Sequence, residues 1–280
     1  MDSLQITQKA CAVEFKILGP LEVTRNGASV ALQGMKQRIV LAALVSAAND
    51  VVSVDRLVDW LWQWSVPAKA SAIIQAHVSR LRRILEPNRQ PWAAPELLLR
   101  RSPGYLLQVE PDQVDALRFE RLLVEGRAAL ERDEPHRAAD LLRTALGLWR
   151  GRALADVALV SAAQDAVSHL DSLRLSATTM RIEADLGLGR HLDLIPELES
   201  LRREHPLDEW LGGQLMIALY RCGRQADALS VYDRLRYVLA EELAIEPAPA
   251  SQRLKAAILA QHPALDRHSL NMRAVMLNRC

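Results

Sequence analysis

The sequence predicts a mainly α-helical protein with a small β component, organised as two successive domains. Short runs of β-type residues, separated by Gly, Pro and Asn-Gly, lie on both sides of the first three predicted helices. From Glu110 onward the chain is rich in Leu and Ala at helical spacing. A chain of 280 residues, half of them apolar, is long enough for two domains that each bury a core.

The first domain is predicted to begin with a small antiparallel sheet, after a flexible leader at residues 1–12. Residues of high β propensity predict three short strands, Val13–Leu18, Leu21–Thr24 and Ser29–Leu32. The pair Asn26-Gly27 is a hairpin signal because both residues tolerate positive φ. A sheet therefore precedes the first helix.

Three helices and a second hairpin are predicted next. The helices are Met35–Ala48, Val54–Trp62 with Ser53 as its N-cap, and Pro67–Glu86. A proline-rich break then leads to two short strands, Leu97–Arg101 and Tyr105–Val109, about the turn Ser102-Pro103-Gly104. The order of sheet, three helices and hairpin predicts a winged helix-turn-helix domain, to which we assign residues 13–109.

The second domain, residues 110–265, is predicted to be a tetratricopeptide-like α-helical repeat. The pairs Gly189-Arg190 and Gly223-Arg224 each begin a helix, and Leu201 in one helix matches Leu235 in the other. The two pairs lie 34 residues apart. This is the tetratricopeptide period, in which each repeat is a pair of helices. Such arrays present a curved surface for protein contacts. Residues 266–280 are expected to be a tail.

The third predicted helix carries two different faces. Its apolar face consists of Ile74, Val78, Leu81 and Leu85, while the opposite face is small and basic. The third helix of a winged helix enters the major groove of double-stranded DNA, and the hairpin tip contacts the flanking backbone or minor groove. The candidate DNA-binding residues are Lys69, Gln75, Ala76, Ser79, Arg80, Arg82, Arg83 and Arg101.

These residues are expected to have different roles. Arg80 is the first choice for a base contact because a guanidinium can bind guanine bidentately. Arg82, Arg83 and Lys69 are expected to bind phosphates, and Arg101 is expected to reach the backbone or minor groove from the wing. The alternative for each arginine is a solvated side chain without a DNA contact. His77 is expected to face the domain's own scaffold.

The charge is distributed unevenly along the chain. The net charge is only +1, but the window Pro67–Arg101 contains seven basic and two acidic residues. That window therefore carries +5 and the rest of the chain −4. A local basic patch on an acidic protein favours specific docking over indiscriminate binding to polyanions.

Other classes of protein are disfavoured. The three cysteines form no CxxC pair, and the seven histidines form no HxH or HxxxH pair, so the sequence predicts no metal and no cofactor. No GxSxG, dinucleotide or P-loop motif is present, which argues against an enzyme. There is no signal-peptide pattern and no apolar run of membrane-spanning length, so we expect a cytoplasmic protein without a membrane partner.

Several segments resemble a known family. HVSRLRR at His77–Arg83 resembles the recognition helix of OmpR-type winged-helix regulators, and RSPGY at Arg101–Tyr105 resembles their wing. Lys36-Gln37-Arg38 and Val52–Leu57 are similar to one branch, the Streptomyces antibiotic regulatory protein (SARP) family. Leu148–Gly151, LWRG, is similar to the start of that family's bacterial transcriptional activation domain.

The resemblance implies a pathway-specific transcriptional activator of a secondary-metabolite (antibiotic) gene cluster. It implies binding to direct repeats near promoters as a side-by-side dimer, and recruitment of RNA polymerase through its sigma and α-subunits, with the protein on the nucleoid when bound. Polymerase contact is expected at the loop before the third helix, here Gln63, Trp64 and Ser65, where the family pattern differs. The alternative is a helical-repeat adaptor whose winged helix binds protein instead of DNA.

Overall fold

The computed structural model describes residues 13–62, 65–90, 92–157 and 160–265. It is mainly helical with few strands, which confirms the predicted fold class. The chain divides into two units of contacting residues. The first holds the chain up to Val124 together with Arg143–Ala177, and the second holds Glu125–Leu142 and the chain from Thr178.

The first unit begins with a three-stranded antiparallel sheet of order β1-β2-β3. Its strands are β1 (Val13–Lys16), β2 (Glu22–Arg25) and β3 (Ala28–Ser29). Asn26 and Gly27 have φ of 51° and 80°, which is the conformation the hairpin signal predicted. The third strand is two residues long and begins one residue earlier than predicted.

Three helices follow the sheet. They are α1 (Met35–Ser46), α2 (Val54–Leu61) and α3 (Ala70–Leu85). The Oγ of Ser53 accepts the backbone N–H of Arg56, so the predicted N-cap of α2 is confirmed. Helix α3 begins three residues later than predicted, because Pro67 lies in a turn whose carbonyl accepts the N–H of Ala70.

The wing is a second three-stranded antiparallel sheet, of order β4-β6-β5. Strands β5 (Leu98–Arg101) and β6 (Gly104–Leu107) form the predicted hairpin, and β4 (Val51–Ser53) pairs with β6. Strand β4 was not predicted. The sheet leaves no room beside Gly104, since an added Cβ would overlap the carbonyl oxygen of Val52 and lie 2.7 Å from Ser53 Cα.

Two acidic side chains join distant parts of the first unit. Asp115 accepts the backbone N–H groups of Ile17 and Leu18, and burial raises its pKa although these bonds and Arg150 oppose the shift. Asp156 accepts the N–H of Leu21 and, at 2.6 Å, the Nε–H of Arg38. The β1–β2 turn and α1 are therefore fixed to the segment that follows the LWRG sequence.

The remaining elements are helical. They are α4 (Asp115–Glu131), α5 (Pro135–Leu146), α6 (Gln164–Gly187), α7 (His191–Glu204), α8 (Glu209–Arg221), α9 (Gln225–Leu243) and α10 (Pro249–Leu259), with short 3₁₀ turns at Pro111–Gln113, Ser161–Ala163 and Pro263–Leu265. None of the helices in the described ranges is long and apolar enough to cross a membrane.

The second unit confirms the predicted repeat. Gly189 and Gly223 have φ of 79° and 75°, and each ends one helix so that the next can turn back. Helix α8 lies at the centre of the unit, with every residue from Leu211 to Leu219 buried. Arg181 and Arg190 bind the buried carboxylate of Asp185, which neutralises that charge inside the unit.

Candidate nucleic-acid interface

Helix α3 has the two faces that its sequence predicts. Ile74, Val78, Leu81 and Leu85 are buried against the rest of the first unit. The exposed face carries Ala72, Gln75, Ala76, Ser79, Arg80 and Arg83. Small residues along the middle of this face allow the helix backbone to approach a surface closely, while the longer basic side chains lie beside them.

Arg80 and Arg83 are exposed, and their side chains form no ion pair or hydrogen bond within the described part of the chain. The nearest acid along the helix is Glu86, whose Oε1 accepts the backbone N–H groups of Glu96 and Leu97. The positive charge on the outer face of α3 is therefore not neutralised by any carboxylate in the described ranges.

Arg82 is placed differently from its two neighbours. It is half-buried, and its Nε donates a hydrogen bond of 2.8 Å to the carbonyl oxygen of Leu98. Burial lowers the pKa of Arg82, and this effect outweighs the opposing influence of Tyr105 and Glu86. The geometry thus gives Arg82 a contact with the wing sheet, which helical spacing alone did not predict.

The wing presents Arg101 to solvent. Arg101 is exposed at the end of β5, in register opposite Gly104, and the described residues supply no partner for its side chain. Arg100 points to the other face of the sheet, where its Nη1 donates to the hydroxyl of the buried Tyr105. The turn is held close to α2, because the carbonyl oxygen of Pro103 accepts the N–H of Val54.

Lys69 is exposed at the N-cap of α3, so it lies just before the helix and not within it. The candidate residues Lys69, Gln75, Ala76, Ser79, Arg80 and Arg83 are brought together on the exposed side of this helix. Arg82 lies at its edge, and Arg101 lies on the wing of the same unit.

His77 lies at the edge of α3 and is half-buried, with no hydrogen-bond partner for Nδ1 among the described residues. Burial lowers the pKa of His77, and the positive charges of Arg80 and Lys36 lower it further. Partial burial of the imidazole is consistent with the expected orientation of His77 toward the scaffold of its own domain.

Lys36 belongs to the surroundings of α3, although no site role was predicted for it. Its Nζ lies 5.1 Å from the centroid of the Trp62 ring, at the end of α2. Lys36 lies on α1 and Trp62 at the end of α2, so their proximity depends on how these helices pack. No local sequence pattern could have indicated it.

The predicted polymerase-contact loop lies only partly within the described residues. Gln63 and Trp64 fall outside them, and Ser65 is exposed. Trp60, in α2 before this loop, is buried in the core.

Known proteins resemble the chain over nearly its whole length. Residues 28–107 match the family described as "Transcriptional regulatory protein, C terminal", and residues 114–259 match the "Bacterial transcriptional activator domain". The regulatory protein DnrI of Streptomyces peucetius is 40% identical over 259 residues, which cover 91% of this chain and 95% of DnrI.

Two further proteins show how far the likeness extends. The transcriptional regulator RedD of Streptomyces coelicolor is 38% identical, over 90% of this chain and 72% of RedD. The structure of Mycobacterium tuberculosis EmbR in complex with a low affinity phosphopeptide superimposes with a TM-score of 0.86 at 34% identity. The match covers 95% of this chain and 69% of EmbR.

Proposed function

The chain belongs to the Streptomyces antibiotic regulatory protein family of transcriptional regulators, and we propose that it is a sequence-specific DNA-binding activator. The exposed face of α3 carries the proposal: Arg80 and Arg83 are exposed, and no carboxylate among the described residues pairs with either. Because cations on a protein surface are usually interspersed with acids, an unbalanced basic face beside small residues favours a polyanionic ligand.

We assign the sequence-specific part of the contact to the middle of α3. Arg80 would donate two hydrogen bonds to a guanine, whose O6 and N7 both accept in the major groove. Ala76 and Ser79 are small enough to let the helix approach the base edges, and the longer side chain of Gln75 can pair with adenine. Arg80 is the residue on which sequence preference depends most.

The phosphate contacts are assigned to the flanks. Lys69 at the start of α3 and Arg83 near its end would each neutralise a backbone phosphate, and Arg101 would do so from the wing. Arg82 would reach a phosphate only through its remaining N–H groups, since Nε is bonded to Leu98. These contacts fix the register of the protein on the duplex but carry little sequence information.

The finer parts of the proposal follow from the family. We propose that the protein controls an antibiotic gene cluster, acts from the cytoplasm, and binds direct repeats as a side-by-side dimer. Residues 13–109 would bind DNA, and residues 110–265 would be the activation domain. RNA polymerase, through its sigma and α-subunits, would meet the loop of Gln63, Trp64 and Ser65.

The test is selection of duplexes from a random-sequence library by the full-length protein, followed by affinity measurements at several salt concentrations. Lys69, Arg82, Arg83 and Arg101 give roughly eight phosphate contacts in a dimer, so affinity should fall by roughly four orders of magnitude between about 50 and 200 mM salt. A protein adaptor would select no sequence and show no such dependence. That result would refute the proposal.

A further inference from the structure

Lys36 occupies the first turn of α1 and is exposed. Its Nζ lies 5.1 Å above the ring of Trp62, the residue that caps the end of α2. Trp62 is the last described residue before the segment of the sequence that leads into α3. Lys36 forms no ion pair with any carboxylate in the described ranges.

Helix α1, which carries Lys36, packs against both α2 and α3. Burial lowers the pKa of His77 on α3, and the positive charges of Arg80 on α3 and Lys36 on α1 lower it further. Since the electrostatic effect of a charge falls with distance, this agrees with the packing of α1 against α3 in placing Lys36 near the edge of α3 that carries His77.

The orientation of this first turn is fixed by its neighbours. Two residues after Lys36, Arg38 binds the carboxylate of Asp156 and donates to the carbonyl oxygen of Leu21. The aromatic ring of Trp62 attracts the ammonium group of Lys36, which limits the positions that this long side chain can adopt. The positive charge is held in place before any ligand binds.

We propose that Lys36 contacts a phosphate of the duplex bound by α3 and thereby extends the DNA interface from α3 and the wing to the start of α1. The inference rests on the proposed function. The contact is to the backbone, so it adds affinity without adding sequence preference.

The local backbone of α1 suits an anion at this place. The N-cap residue is Gly34, which provides no side-chain acceptor for the N–H groups of the first turn. A phosphate bound by Lys36 would lie near the N-terminus of α1, where the helix dipole favours negative charge.

The test compares Lys36→Gln with Lys16→Gln in the full chain. Both variants remove one positive charge from the first unit, but Lys16 lies on β1 opposite Glu22, in the N-terminal sheet. Affinity is measured for a selected duplex and for a random-sequence duplex across a range of salt concentrations. Thermal unfolding of each variant confirms that the exposed substitution leaves the fold intact.

Lys36→Gln should flatten the slope of log affinity against log salt by about 0.9 for each protomer, or about 1.8 for the dimer, which corresponds to a loss of roughly thirtyfold at 0.15 M salt relative to 1 M. The loss should be equal for both duplexes, and Lys36→Arg should restore most of it because the charge is retained. If Lys36→Gln has the same slope as Lys16→Gln, the inference is wrong.

The two proposals can fail separately. If Arg80→Ala weakens binding to the selected duplex while Lys36→Gln changes nothing, only the contact at Lys36 is refuted. If the wild-type protein binds no duplex at any salt concentration, both the proposed function and this contact are refuted.

Discussion

Arg82 Nε donates a hydrogen bond of 2.8 Å to the carbonyl oxygen of Leu98, which joins α3 directly to the first strand of the wing hairpin. A second arginine acts on the same end of the helix, since Arg25 Nη1 donates to the carbonyl oxygen of Ile84 at 2.8 Å. The C-terminal end of α3 is thus bonded to both sheets of the first unit. This arrangement holds the helix and the wing in a fixed relation before DNA binds.

Substitution of Arg82 should mainly reduce the stability of the fold, whereas substitution of Arg83 should mainly weaken DNA binding. Arg82→Ala removes a hydrogen bond from a half-buried charged donor, so we expect the free energy of unfolding to fall by about 1–2 kcal/mol. Arg83→Ala should change it by less than about 0.5 kcal/mol, because the side chain is exposed and unpaired. Urea unfolding of the two variants measures this difference.

Arg83→Ala should instead flatten the salt dependence of DNA binding by about one unit per protomer, or about two for the dimer, as expected for one lost phosphate contact in each protomer. An equal loss of stability in both variants would show that Arg83, like Arg82, supports the fold. A salt slope unchanged by Arg83→Ala would remove it from the proposed interface.

Gly104 should tolerate no side chain. The Cβ of Gly104→Ala would overlap the carbonyl oxygen of Val52, so β6 would have to separate from β4. We expect a loss of about 3 kcal/mol or more in the free energy of unfolding. The control is Gly27→Ala, where no atom lies within 4 Å of the new Cβ and only the φ of 80° opposes the change.

Gly27→Ala should therefore cost only about 1–2 kcal/mol. Equal effects of the two substitutions in thermal unfolding would mean that β4 does not pair with β6 in solution.

Ala244 should be more stable as glycine. It ends α9 in the left-handed conformation, with φ of 54° and ψ of 36°, which costs a residue with a Cβ about 1 kcal/mol. Ala244→Gly is expected to raise the free energy of unfolding by about 0.5–1 kcal/mol. Ala240→Gly, at an exposed position within the same helix, should lower it by a similar amount.

Denaturant unfolding of both variants measures whether each substitution raises or lowers the free energy of unfolding. A destabilising Ala244→Gly would mean that the helix ends elsewhere in solution.

His77 should make the protein sensitive to acid. Its pKa in the folded state is lowered from 6.5 by burial, by Arg80 and by Lys36, so the unfolded chain binds a proton more readily. The stability attributable to the neutral imidazole is complete above the unfolded pKa of 6.5 and is lost as the pH falls from there through the lowered pKa of the folded state. His77→Gln removes this contribution to the pH dependence.

The measurement is urea unfolding of the wild type and His77→Gln at neutral pH and at a pH about one unit below the ordinary pKa of histidine. The wild type should lose more stability than the variant over this interval. If both proteins lose the same stability over this interval, the pKa of His77 is not lowered in the folded state and the prediction is wrong.

The main elements of the architecture could be predicted from the sequence. Helical spacing predicted both faces of α3, and Gly189 and Gly223 predicted the turns of the repeat, because both signals depend on residues close together in the chain. Strand β4 was missed because three residues carry too little pattern, and its identity depends on hydrogen bonds to β6. Pairing with a distant strand, not local propensity, defines that element.

The site was predictable in part for the same reason. Exposure of Arg80 and Arg83 follows from their spacing relative to the buried Ile74 and Val78. The bond from Arg82 to Leu98 could not be predicted, because it requires the wing to lie against the edge of the helix. The pairing of Lys36 with Trp62 likewise depends on how the helices pack.

The central claim is that the exposed face of α3 recognises a DNA sequence, and Arg80 tests it most directly. The measurement is the ratio of affinities for a selected duplex and a random-sequence duplex, for the wild type and for Arg80→Ala at one salt concentration. A lost bidentate base contact should lower this ratio roughly tenfold to a hundredfold. An equal loss of affinity for both duplexes, or no loss for either, would contradict the claim.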